Sequence, residues 1–206
     1  RLLPWTGTPE SNAEEAIAAR SEHKALQLDK TMSLPTILWA VRRECFSVWL
    51  VFTITIAIFP ATTALIRPDD ACSTIPEDIF TPYLFVLFNL FDLIGRYSAG
   101  FVQVISARWL PVFAAARLVF LPLFALCNVQ GTQLHVVFKG VVWPTFIMVA
   151  MALSNGYVST LGMIYGPMRV DHANSERAGT VMVFGLTFGL FSGAMLSYLV
   201  EAVVRG

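Results

Sequence analysis

Charge is scarce in this chain. Charged residues fill only 14% of its 206 positions, where a soluble domain carries about 25%. Basic and acidic side chains balance at fourteen each, so the net charge is zero and there is no electrostatic footprint for nucleic acid. Cysteine is rare as well. Cys45, Cys72 and Cys127 have no metal-binding or redox spacing and read as unpaired thiols. His23, His135 and His172 neighbour no candidate nucleophile, and there is no Walker-type glycine-rich loop to hold ATP. These absences point away from an enzyme, a metal site or a bound cofactor.

What the chain does have is apolar length. Hydrophobic residues make up 56% of it, with a mean hydropathy of +0.65. Residues 45–66, 140–168 and 178–200 carry no charge; 109–134 carry only Arg117, and 80–104 only Asp92 and Arg96. Each block reaches the roughly 20 residues that a helix needs to cross about 30 Å of hydrocarbon. Membrane strands would be shorter and alternate in polarity, which these do not. The expected class is an all-α, multi-pass membrane protein with spans at about 45–66, 80–104, 109–128, 141–165 and 178–204. Residues 1–36 read as a polar, solvated linker, and Arg42, Arg43 and Glu44 as a charged collar at the membrane surface.

Loop charges set the orientation. One side holds nine basic residues: Arg1, Arg20, Lys24, Lys30, Arg42, Arg43, Arg108, Arg169 and Arg177. The other holds three: Arg67, Lys139 and Arg205. This bias predicts a cytoplasmic linker and an outside carboxy terminus. A Cys72–Cys127 disulfide requires both cysteines on one outer face, which this topology allows.

Asp92 and Arg96 lie in mid-span, where one such charge costs about 2.5–3.5 kcal/mol on insertion scales. Their i,i+4 spacing, acid first, puts both on one face and lets them pair. Asn89 lies one turn above and Gln103 below, flanked by Phe85, Phe88 and Phe91. Two readings stand: a neutralised pair that joins helices, or a pair facing a water-filled cavity that hydrogen-bonds a polar ligand while the aromatics stack on a planar base. Arg117 reads either as paired with a cytoplasmic-end acid such as Glu176 or as a gate contact. Pro60 and Pro122 are expected to bend their spans. Gly185, Gly189 and Gly193 form a ridge for close helix approach, and Ser154, Asn155, Gly156, Ser159 and Gly162 a second packing surface with an interhelical amide bond.

Several runs resemble one family. Phe-Thr-Ile-Thr-Ile-Ala-Ile-Phe-Pro-Ala (52–61) and Phe-Asn-Leu-Phe-Asp-Leu-Ile-Gly-Arg (88–96) look like spans seven and eight of the equilibrative nucleoside transporters. Arg-Trp-Leu-Pro (108–111), Ala-Arg-Leu-Val-Phe-Leu-Pro-Leu (116–123) and Cys-Asn (127–128) resemble span nine. Ser-Asn-Gly-Tyr (154–157) resembles span ten, and Ser-Glu-Arg-Ala-Gly-Thr (175–180) the entry to span eleven. The likeness covers about 37–204 in order.

That resemblance implies an eleven-span, six-plus-five bundle similar to the major facilitator fold. The chain would supply the central loop (1–36) and the five-span carboxy-terminal half (37–206), meeting a missing amino-terminal six-helix half within a lipid bilayer. It implies facilitated, bidirectional passage of nucleosides by alternating access, in the plasma membrane or else an intracellular one. By the same resemblance Asp92 and Arg96 contact the nucleoside, with Asn89 and Phe85 nearby. Phe59 and Pro60 belong to an outer gate, and Glu176 to a cytoplasmic gate whose basic partner lies in the other half. The loop with Met168, Arg169 and His172 departs from the family's more lysine-rich version. Proton coupling would need an unpaired membrane acid, and Asp92 already neighbours Arg96, so passive transport is expected. Rival readings are a transporter of nucleobases or another polar metabolite, and a non-transporting module in which the polar seam only joins helices.

Overall fold

A computed structural model of the chain describes residues 32–67, 75–131, 135–138 and 140–205, together with Ile17. Most of the expected linker (1–31) lies outside the described residues, as does Cys72 and with it the Cys72–Cys127 bridge. The fold is all-α. Its helices are α1 (Leu34–Ile58), α2 (Glu77–Phe101), α3 (Leu110–Ala116), α4 (Phe120–Ala125), α5 (Val142–Tyr165) and α6 (Ser175–Arg205).

The local chemistry explains where these helices begin and end. Ser33 is extended and Pro35 follows in the first turn, where its missing donor is harmless, so α1 starts well before the charge-free block. It therefore includes the expected collar, and Glu44 within it is buried against the neighbouring helices, where Arg169 reaches it. α1 stops at Ile58 because the residue before a proline is driven out of the helical region: Phe59 sits at φ −109°, ψ 129°. Pro60 thus ends the helix instead of bending it. In α2, Glu77 and Asp78 occupy the first turn, where the helix dipole favours acids. That helix ends at Phe101, so Gln103 lies beyond it and does not continue the polar stripe.

The five-span expectation needs one correction. Among the described residues, four helical segments are long and apolar enough to cross a membrane: Leu34–Leu65, Glu77–Phe101, Val142–Arg169 and His172–Val203. The fifth, Leu110–Ala125, is shorter. It is interrupted by a 3-10 turn at Arg117–Val119. Pro122 offers no N–H to the Leu118 carbonyl and crowds it, which accounts for the tightened turn.

α1 and α5 form the centre, α6 packs along α1, and α2 packs along α5. The glycine ridge of α6 faces α1: a Cβ on Gly189 would lie 2.7 Å from the Trp49 carbonyl oxygen, and one on Gly193 2.7 Å from that of Thr53. Trp49 Nε1 donates across this seam to Ser192 Oγ at 2.9 Å. One end of the bundle is closed by non-helical chain, where Ile66 and Val129 form an antiparallel bridge. At the other end, Tyr157 and Tyr165 hydroxyls hold the 102–105 backbone, and Arg169 reaches Glu44.

Candidate functional site

α2 carries the expected pair. Arg96 Nε donates to Asp92 Oδ2 at 2.7 Å, one helical turn apart. The Asp92 side chain is only 13% exposed and Arg96 41%. The acid is therefore turned into the bundle, and the guanidinium end is what faces outward. Asp92's second oxygen, Oδ1, accepts from the Asn155 amide of α5 at 2.6 Å. Asn89 is exposed on the same outer side of α2, but its amide donates to the Phe85 carbonyl of its own helix at 2.8 Å and makes no bond to Asp92.

α2 reaches this depth against α5 because two glycines meet there. A Cβ on Gly156 would overlap the Asp92 carbonyl oxygen and lie 2.8 Å from the Arg96 amide nitrogen. A Cβ on Gly95 would collide with the Leu153 carbonyl and come within 3.0 Å of the Tyr157 nitrogen. Close approach is what puts Asn155 within hydrogen-bond range of Asp92.

The gate residues lie apart from one another. Phe59 is buried and stacks on Phe88 at 4.3 Å between ring centroids, 17° from parallel; it also packs on Phe85 at 4.6 Å. The structure thus joins Phe59 to the Phe85 end of α2, with Pro60 just beyond. Glu176 is exposed in the first turn of α6, at the opposite end of the bundle.

Arg117 does not pair with Glu176. It is buried at 2% exposure. Its Nη1 donates to the Met151 carbonyl at 3.0 Å and to Ser154 Oγ, and its Nη2 to Thr55 Oγ1 at 2.8 Å and Asn155 Oδ1 at 3.4 Å. Thr55 Oγ1 lies within donating distance of Asn155 Oδ1 at 2.7 Å and of the Val51 carbonyl at 2.8 Å. The sequence pattern gave Ser154 and Asn155 only packing roles and Thr55 none. The available signal was a lone arginine in one apolar block and a lone asparagine in another, since buried polar groups must find partners.

A polytopic α-helical membrane bundle with a charged network at its interior is thereby defined. Comparison with known proteins gives the family: the nucleoside transporter family profile matches residues 5–202, and the chain belongs to that family. It is 40% identical over 203 residues to equilibrative nucleoside transporter 1 of Homo sapiens, covering 94% of this chain and 44% of that protein. It is 37% identical over 162 residues to equilibrative nucleoside transporter 2 of Homo sapiens, covering 75% and 35%. To equilibrative nucleotide transporter 1 of Arabidopsis thaliana it is 29% identical over 193 residues, covering 92% and 41%. The chain spans less than half the length of these relatives.

Proposed function

We propose that this chain is the five-helix carboxy-terminal half of a facilitated nucleoside transporter, working with a six-helix amino-terminal half across a central cavity. The observation that carries the reading is the outward guanidinium of Arg96. Asp92 holds its Nε, so its two terminal nitrogens present a pair of donors on the side of α2 away from α5, the described helix that packs along it. A nucleoside offers carbonyl, ring-nitrogen and hydroxyl acceptors to such a fork. Asn89 lies on the same side, and Phe85 offers a ring edge one to two turns away.

On this reading the halves rock about the site, exposing it to one side at a time. Phe59 and Pro60 close the outer end, and Glu176 closes the cytoplasmic end against a base of the other half. The basic residues of the loops put the amino-terminal segment in the cytoplasm and the carboxy terminus outside, in the plasma membrane. With both Asp92 oxygens already accepting hydrogen bonds, the described residues of this half offer no spare acid at the site, which favours passive transport.

The test is uptake of tritiated uridine, adenosine and a free nucleobase by the complete transporter. Saturable nucleoside uptake, unaffected by collapsing the proton gradient, is expected. Asp92→Asn should cut it by about tenfold or more at normal surface level, the worth of a lost charged hydrogen bond. Uptake of the nucleobase alone, or wild-type uptake by Asp92→Asn, would overturn the assignment.

A further inference from the structure

The largest fully buried side chain among the described residues is a cation, Arg117. No carboxylate lies within ion-pair distance of it among those residues, and its Nε has no hydrogen-bond partner. A guanidinium held off water on neutral acceptors is costly, and such groups inside a membrane are retained for what they do. The acceptors show what this one does.

Arg117 Nη2 donates to Oδ1 of Asn155, and Thr55 Oγ1, whose single proton is shared between that oxygen at 2.7 Å and the Val51 carbonyl at 2.8 Å, lies beside it. The guanidinium on one side and the Asp92 carboxylate on the other fix the sense of the amide, because the reversed amide would set its NH2 against the guanidinium and its oxygen against the carboxylate. The Asn155 NH2 is therefore aimed at Asp92 Oδ1, at 2.6 Å. Asp92 is left with Oδ2 directed at Arg96 Nε, at 2.7 Å. Orientation passes along one line: Arg117 to Asn155 to Asp92 to Arg96.

We propose that Arg117 is a positioning residue for the substrate pair, acting through the Asn155 amide to hold Asp92 and so aim the Arg96 fork. The inference deepens, and rests on, the reading of Asp92 and Arg96 as the nucleoside site. The network also spans separate elements. Thr55 belongs to α1, Asp92 and Arg96 to α2, Asn155 and Ser154 to α5, and Arg117 to the turn between α3 and α4. α2 packs on α5 and on the 63–65 turn, so this network is how the site helix is referred to the centre of the bundle.

The experiment uses the complete transporter, purified, with the dissociation constant for tritiated uridine and adenosine read alongside thermal midpoint and surface level. Asn155→Leu keeps the volume and removes the amide; Thr55→Val removes one hydroxyl; Arg117→Lys keeps the charge and loses the fork. Asn155→Leu and Arg117→Lys should each weaken binding by about tenfold, and Thr55→Val by about threefold, at near wild-type surface level. The first two also lower the midpoint, because each strands buried polar groups, so the coupling to Asp92→Asn is the deciding readout. Because Asn155 acts through Asp92, Asn155→Leu should add nothing further to Asp92→Asn. Fully multiplicative effects of those two substitutions would overturn the proposal. So would wild-type affinity in Asn155→Leu and Thr55→Val, whether or not Arg117→Lys reaches the surface. If instead Asp92→Asn itself binds nucleoside normally, the substrate reading fails first and this inference falls with it.

Discussion

At the scale of single residues, Glu44 and Arg169 show how unevenly one ion pair can be built. Arg169 directs Nε and Nη2 to the same carboxylate oxygen, Oε1, at 2.8 and 2.6 Å, while Oε2 is buried without a partner. Glu44 is 1% exposed and Arg169 40%. Removing the arginine strands a buried carboxylate, at a cost of about 1–3 kcal/mol. Arg169→Ala should therefore lower the thermal midpoint, and adding Glu44→Gln should recover most of the loss. A double variant no better than Arg169→Ala would mean that the carboxylate already reaches water. The Asp92–Arg96 pair was legible in the sequence because its spacing lies within one helical turn. Arg117 was misplaced against Glu176, and Arg169 as the partner of Glu44 went unforeseen, because the partners are distant: 125 residues for Glu44 and 34 to 62 for Arg117. A spacing rule that reaches four residues cannot find them.

At the scale of elements, the crossing of α2 and α5 decides whether the site exists. Gly156→Ala pushes a methyl into the Asp92 backbone, and overpacking of this kind costs about 1–3 kcal/mol. We expect a lower thermal midpoint together with weaker nucleoside binding, because parting the helices stretches the Asn155–Asp92 bond. Gly100→Ala on α2, the partner helix of that crossing, is the control: its Cβ would meet nothing within 4 Å, so both measurements should stay near wild type. Equal behaviour of the two variants would remove the crossing from the argument. The apolar blocks located every membrane-length helix, yet misjudged the start of α1, because absence of charge measures hydrocarbon depth and not helix length. Pro60 and Pro122 were legible as disruptions, but the result of each depended on its surroundings. One ends a helix at Ile58, and the other tightens the turn beside Arg117.

At the scale of the whole chain, burial is lopsided. The membrane windows of α1 and α5 are 56% buried, those of α2 and α6 only 17%. α2 leaves Leu93, Tyr97 and Phe101 uncovered, and α6 leaves Phe184, Phe191 and Tyr198. Lipid satisfies such apolar faces, but not the Arg96 fork between them. Expressed alone, residues 37–206 should insert poorly or self-associate and carry no nucleoside, while co-expression with a separate amino-terminal half should restore uptake. Saturable uptake by purified 37–206 in liposomes would show instead that copies of this chain make the pathway. The family-like runs already implied this need; the separation of covered faces from bare ones gives it a physical cause.

The partnership of α1 with α6 also carries a consequence for synthesis. Trp49 and Ser192, which bond across that seam, stand 143 positions apart. At about 5–20 residues per second, the ribosome delivers the second roughly 7–30 s after the first. Throughout that interval the side of α1 from Cys45 to Ile56 lacks the glycine surface it is shaped to meet. α1 must wait in the translocon or the lipid for α6, and a transcript cut short before Gly185 leaves it waiting without end.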